Sequence, residues 1–304
     1  LVLLLAFEVS ANAAETNKPA GESMATHRIG IDTTFGDRFH EAVEAMRHDR
    51  YQEVIAKATA ALAMKPDSKN AALLFTYRGI AYYALEDYAR AIADFSEAIR
   101  RDPAVPTARA NRGELLAHQG QYKKAISDLT QAGPETSTIS LRATLANAYF
   151  QIGRRDRARA EYTRATQLPV KEPSEYVIRA RAHVALGQYK AAASDFETAK
   201  NRQSNNWHAL NAAAWFEATC PDSVLRNGRM AVRDATRACE GTHWKDADYI
   251  DTLAAAYAET GDFAHALQYG RQAIAIGGGK RSELEQDLRL FEKSQPVREA
   301  GKLL

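Results

Sequence analysis

The stretch Arg78-Gly79-Ile80-Ala81-Tyr82-Tyr83, followed by Leu85-Glu86-Asp87-Tyr88-Ala89-Arg90-Ala91 and then Phe95, Ala98 and Pro103, decides the fold, because its spacing returns along the chain. Gly113 stands 34 residues after Gly79, and Ala125 the same distance after Ala91. Gly120-Gln121-Tyr122 occupies the place of Glu86-Asp87-Tyr88. Tyr149, Gly153, Ala158, Tyr162, Ala165 and Pro169 come next, then Ala180, Gly187-Gln188-Tyr189, Ala192, Phe196 and Ala199. Ala254, Tyr257, Gly261-Asp262-Phe263, Ala266 and Ala273 repeat the pattern late in the chain, and Ala42, Tyr51, Ala58, Ala61 and Pro66 keep it upstream. A fixed period of this size marks a stacked-repeat architecture.

The chemistry of the spacing says what each repeat is. Two apolar-periodic stretches of helical length flank a Gly-x-aromatic turn. Small residues stand where two antiparallel helices approach most closely: Gly79, Gly113, Ala146, Ala180 and Ala254 in the first helix, and Ala91, Ala125, Ala158, Ala192 and Ala266 in the second. The aromatics Tyr88, Tyr122, Tyr189 and Phe263 cover the seam, and Pro66, Pro103 and Pro169 sit where a helix stops. One such unit cannot bury its apolar faces, but a stack of them can.

On these residues the chain resembles the tetratricopeptide repeat family over roughly Phe35 to Lys280. The resemblance implies an all-α, right-handed α-solenoid of about seven helix-turn-helix units, at about 35–68, 72–105, 106–138, 139–172, 173–205, 206–246 and 247–280. Arg109 and Arg155 depart from the aromatic that the family places there. The sixth unit departs more: its turn lengthens to Pro221-Asp222-Ser223-Val224-Leu225-Arg226-Asn227. With Ala214-Trp215, Thr219-Cys220-Pro221, Ala238-Cys239-Glu240 and Asp251-Thr252-Leu253-Ala254-Ala255-Ala256-Tyr257, it resembles the C-terminal repeats of a group of bacterial exported tetratricopeptide proteins. A last helix, Ser282 to Lys293, opens the segment 281–304 and is expected to cap the final repeat.

Charge narrows the partners. Forty Lys and Arg balance 38 Asp and Glu, a net of +2, which argues against a nucleic-acid binder or an anionic membrane surface. At the amino end, Leu1-Val2-Leu3-Leu4-Leu5-Ala6-Phe7 precedes Ser10-Ala11-Asn12-Ala13-Ala14. The apolar run with an Ala-x-Ala exit reads as a signal peptide over residues 1–14, cut after Ala13 or Ala14. The run is too short to span a bilayer. Residues 15–34 read as a flexible leader, and the expected location is the periplasm or beyond the cell.

The search for chemistry returns little. His40-Glu41-Ala42-Val43-Glu44 lacks the second histidine of a zinc-protease helix, and no other set has metal-ligand spacing. Gly277-Gly278-Gly279-Lys280 lacks the spacing of a phosphate loop and reads as a helix stop. The sequence therefore calls for no catalytic residue, no metal and no cofactor. Cys220 and Cys239 leave bridging open, either as a disulfide in an oxidising compartment or as two separate buried thiols. Arg154, Arg155, Arg157 and Arg159, with Arg142 nearby, form a basic patch best read as a solvated helix face. Arg78, Arg112 and Arg179 recur at one place in the repeat and are expected to pack their stems on the helix pair and line a shared surface.

The family resemblance implies that the first helices line a concave, peptide-gripping groove. Carried onto this chain, the groove candidates are Thr76, Tyr83, Asn111, Glu114, His118, Asn147, Gln151, Arg181 and Val184. Asn147 has Ala143 one turn earlier, so the Lys-Asn pair of members that clamp a C-terminal carboxylate is missing. The resulting expectation is a non-catalytic scaffold binding a protein or peptide. Two alternatives are the accessory region of a larger envelope enzyme and a cell-wall polymer binder using Trp207, Trp215 and Trp244.

Overall fold

A computed structural model describes residues 34–202, 206–277 and 281–299. Among the described residues there are fifteen α-helices and no strand, in two compact units divided after Arg154. The first unit holds α1 (Phe35–Arg47), α2 (Tyr51–Ala63), α3 (Ser68–Ala84), α4 (Tyr88–Arg101), α5 (Pro106–His118), α6 (Tyr122–Gln131) and α7 (Ile139–Gln151). The second holds α8 (Arg155–Gln167), α9 (Glu175–Ala185), α10 (Tyr189–Arg202), α11 (Trp207–Thr219), α12 (Gly228–Gly241), α13 (Ala247–Glu259), α14 (Phe263–Ile276) and α15 (Arg281–Glu292). The expected signal peptide and leader lie outside the described residues, apart from Thr34. No described helix is long and apolar enough to cross a membrane.

Local chemistry starts and stops the helices. Thr34 and Asp37 form a reciprocal capping box on α1, with Asp37 N donating to Thr34 Oγ1 at 3.3 Å and Thr34 N to Asp37 Oδ2 at 2.9 Å. Asp67, Asp87, Thr138, Asn206, Asn227, Asp246 and Asp262 each accept from a backbone N–H in the first turn of the helix that follows. The first helix of a hairpin ends in a left-handed residue, supplied by Gly120, Gly153, Gly187 and Gly261. Asp49 and Glu86 adopt the same conformation without glycine's freedom. The lengthened turn before α12 winds into a short 3-10 segment, Ser223–Leu225, and Asn227 N closes it on Glu217 O at 2.9 Å.

The helices pair as antiparallel neighbours, α3 with α4 and α5 with α6 in the first unit, and α9 with α10, α11 with α12 and α13 with α14 in the second. The first helices also touch across hairpins, α1–α3–α5–α7 in one unit and α11–α13–α15 in the other. Ala58, Ala91, Ala125, Ala158, Ala192, Ala231 and Ala266, one per second helix, are all 0% exposed. Leu284 and Phe291 of α15 are buried against the last hairpin's apolar cluster, as a capping helix requires.

A second periodic feature is electrostatic. Arg78 forks onto Asp94 (Nε to Oδ2, 2.7 Å; Nη2 to Oδ1, 2.8 Å), and Arg112 forks onto Asp128 at 2.6 and 2.8 Å. Arg179 forks onto Asp195 at 2.8 and 2.6 Å. The arginines therefore do not line a free surface: each clips its first helix to the second helix of its own hairpin. Arg78 and Arg112 also donate to Thr59 and Ser96 of the preceding hairpin, both at 2.9 Å, so one side chain joins three helices.

Gly79 exposes the tolerance of this packing. A Cβ built there would lie 2.7 Å from the ring of Phe95, which is fully buried. Alanine gains about 1 kcal/mol in helix propensity over glycine, but overpacking costs about 1–3 kcal/mol. We expect Gly79→Ala to lose up to about 2 kcal/mol in urea unfolding. Gly36→Ala, whose added carbon meets only Thr34 at 3.7 Å, should lose nothing.

Candidate functional site

In the first unit the row α3, α5 and α7 gathers most of the polar groups expected of a groove. Asn111 and Glu114 stand one turn apart on α5, 3% and 2% exposed. Ser140, near the start of α7, donates its hydroxyl to Glu114 Oε1 at 3.1 Å. Glu114 Oε2 and both amide atoms of Asn111 have no hydrogen-bond partner among the described residues. Burial pushes the Glu114 carboxyl up to about 7, the Ser140 bond opposing it. Tyr83 at the end of α3 is half-buried against Tyr88, ring centroids 5.6 Å apart. Burial first, then the nearby Glu114, pushes its phenol up to about 12.

The other groove candidates divide. His118, Asn147 and Gln151 are exposed, while Thr76 is buried and returns its hydroxyl to Ala72 O at 2.8 Å. Val184 and Arg181 belong to the second unit on α9, Val184 buried and Arg181 solvent-accessible but crowded. Desolvation pulls the Arg181 guanidinium below its usual range, with Glu299 and Tyr249 opposing. Ser140 was not among the candidates, since a serine near a helix start carries no signal of its own until a neighbouring helix supplies Glu114.

The second unit contains a charge cluster that its sequence also conceals. Asp234 holds the place in α12 that Asp94, Asp128 and Asp195 hold in their helices, but no arginine precedes Ala214 in α11. Lys200, from the preceding hairpin, reaches across instead, with Nζ 3.1 Å from Asp234 Oδ2 and 2.7 Å from Glu217 Oε1. Burial alone would lower the lysine, but the two carboxylates hold its ammonium above the usual range.

Cys220 and Cys239 are both free, buried thiols, placed in different apolar clusters. Burial pushes both thiols up, Cys239 to about 12, which makes them poor nucleophiles. Arg154, Arg155, Arg157 and Arg159 are exposed, and Arg142 donates to Ser137 Oγ at 2.8 Å. The tryptophan faces are spent on packing. Trp207 closes on Gly241, where a Cβ would lie 2.2 Å from the indole. Trp244 stacks on Tyr269, and Tyr269 on Tyr257, at 5.9 and 5.5 Å. Among the described residues no group of three His, Cys, Asp or Glu could hold a metal. Glu41 and Glu44 are occupied by Lys57 at 2.9 Å and Arg47 at 2.6 Å.

Comparison with known proteins matches this geometry. Tetratricopeptide repeat family models match residues 78–135, 139–169 and 247–277. Human tetratricopeptide repeat protein 13 is 27% identical over 104 residues, 34% of this chain and 11% of that protein. The DnaJ homolog subfamily C member 7 homolog of Schizosaccharomyces pombe is 27% identical over 168 residues, 50% of this chain and 34% of its own. The chain thus spans about a third or less of the curated relatives it matches. A tetratricopeptide repeat protein from Parabacteroides merdae superposes with a TM-score of 0.54 at 14% identity, covering 85% of this chain and 98% of that one. The Cut9–Hcn1 hetero-tetramer structure of APC/C gives 0.62 at 16% identity, covering 86% and 49%. PilW, a type IV pilus biogenesis factor, gives 0.54 at 15% identity, covering 70% and 98%. Likeness at these identities is a likeness of fold.

Two outcomes test the buried charges. The Glu114 carboxyl ordinarily titrates near 4.5 and here near 7, so between those values the unfolded chain binds fewer protons. Its contribution is therefore full below about pH 4.5 and is lost as pH rises through 7. Glu114→Gln should exceed the wild type in stability at pH 8 by on the order of 2–3 kcal/mol, with the gap closing by pH 4, in paired denaturant titrations. Lys200→Met strands two carboxylates and should cost about 3–5 kcal/mol in the same assay.

Proposed function

The chain is a tetratricopeptide repeat protein, and from that premise we propose that it is a non-catalytic scaffold that holds an extended protein or peptide segment against its first helices. The observation that carries the reading is the unfilled polar valence of the first unit. Asn111 offers a donor and an acceptor, and Glu114 one more acceptor, none of them satisfied among the described residues. Each such buried orphan costs about 1–3 kcal/mol and persists where a ligand or water repays it. A peptide backbone presents alternating N–H and C=O groups and is complementary to a primary amide, which donates and accepts at once. The exposed amides of Asn147 and Gln151 on α7 extend the same chemistry beyond the buried pair.

Export completes the reading and is supported by the amino-terminal run Leu1 to Phe7 and the Ala-x-Ala exit.

Affinity capture from envelope extracts tests the scaffold. Retention of a partner by the wild type should fall at least tenfold with Asn111→Leu combined with Asn147→Ala, helicity by circular dichroism being unchanged. A protein that retains nothing and shows turnover of its own would overturn the reading. For export, amino-terminal sequencing of the mature protein should read from Ala14 or Glu15.

A further inference from the structure

Residues 293–299, which follow α15, fold back onto the second unit. Ser294 adopts a left-handed conformation (φ 53°), and Gln295 N closes back on Leu290 O at 2.9 Å, so the chain reverses direction as the helix ends. It then runs back across the row of first helices, over the end of α13 to the end of α11. Arg298 Nη2 lies 2.6 Å from Glu259 Oε2 at the end of α13. Glu299 N donates to Thr219 O at 2.9 Å, and Trp215 Nε1 donates to Glu299 Oε2 at 2.9 Å. Val297 is 7% exposed, in the apolar cluster that includes Trp215.

These contacts have the character of peptide recognition. A helix leaves its last carbonyls without intrahelical donors. Two of those in α11 are met by the tail, Ala218 O by Arg298 Nη1 at 3.4 Å and Thr219 O by the Glu299 amide, and Cys220 O just beyond the helix is met by Arg226 Nη1 at 2.9 Å. Arg226 also holds Glu259 in place for Arg298, with Nε 2.8 Å from Oε1. One backbone amide, one buried aliphatic side chain, one cation on a carboxylate and one carboxylate on an indole make up the tail's hold. Arg181, crowded on α9, adds a positive field to the Glu299 side. Of the three contacting residues only Val297 is buried, while Arg298 is exposed and Glu299 half-buried.

We propose that the first-helix surface of the second unit is a binding site for an extended segment with apolar, basic and acidic side chains in succession, and that Val297-Arg298-Glu299 is its tethered occupant. A partner bearing the same triplet then binds this unit by displacing the tail. The inference rests on reading first-helix surfaces as peptide sites, but it concerns different residues from the first unit's Asn111 and Glu114. Its probe is the chain's own peptide, so its failure leaves that reading standing.

The test uses the full chain and a fluorescent, carboxy-amidated hexapeptide of sequence Ser-Gln-Pro-Val-Arg-Glu, corresponding to residues 294–299. In the full-length variant V297D/E299K the tail is released, and the peptide should bind at least tenfold more tightly than to the wild type in fluorescence anisotropy. Adding Trp215→Phe, which keeps an aromatic ring and removes the N–H donor, should weaken that binding at least fivefold with helicity unchanged. Equal binding to wild type and released variant, or binding to neither, overturns the proposal. So does loss of helicity in both V297D/E299K and the milder Glu299→Gln, which would make the tail a fixed part of the core.

Discussion

Contact between paired helices through nothing larger than a methyl group is the constraint on which the other features depend. With Ala91 or Ala125 fully buried at the crossing, the backbones come close enough for an arginine on one helix to fork onto an aspartate on the other. A bulkier crossing residue would part the helices and leave that aspartate, 6% or less exposed at Asp94 and Asp128, without its cation. Packing and electrostatics are therefore not separate contributions here. The small residue sets the distance, the distance sets the ion pair, and the ion pair fixes the rotation of one helix about the other.

The same closeness explains why the first-helix row can hold polar groups under cover. Asn111 and Glu114 are buried on α5, which packs between α3 and α7. Their burial makes Glu114 a poor anion, and a protein that kept them only for stability would do better with apolar side chains of similar volume. In the second unit the row is dressed differently, with Arg181, Trp215 and the returning tail in place of the amide and acid. One scaffold thus carries two surfaces of different chemistry.

Much of this was legible in the sequence, because repetition multiplies a weak signal. A single Gly79 or Ala91 says little, but the pair returning at a constant spacing specifies a helical hairpin and its crossing point. What could not be read lies where the repeat breaks its own rule or depends on a partner far along the chain. Asp234 looks like its counterparts, and its cation comes from Lys200, 34 residues earlier, because α11 has alanine where α3, α5 and α9 have arginine. The groove candidates came from position in the repeat, which locates a face but not its depth, so Thr76 and Val184 proved buried while Asn147 and Gln151 are open. Ser140 and Glu299 escaped notice because neither has meaning until the fold brings up Glu114 and Trp215. The two cysteines share a hairpin yet belong to different clusters, a distinction that chain proximity does not carry.

The substitution of Lys200 for the missing arginine gives the second unit a direction. If the hairpin α11–α12 comes apart from the array, Lys200 returns to water and is fully solvated there. If α9–α10 comes apart first, Glu217 loses its lysine and Asp234 keeps only the exposed Arg233, 2.8 Å away. Loss of α11 and α12 therefore leaves Lys200 with water and with Glu197 of its own helix, whereas loss of α10 leaves the buried Glu217 without its cation. The relocated charge makes the carboxylates of α11 and α12 depend on α10 for their neutralisation.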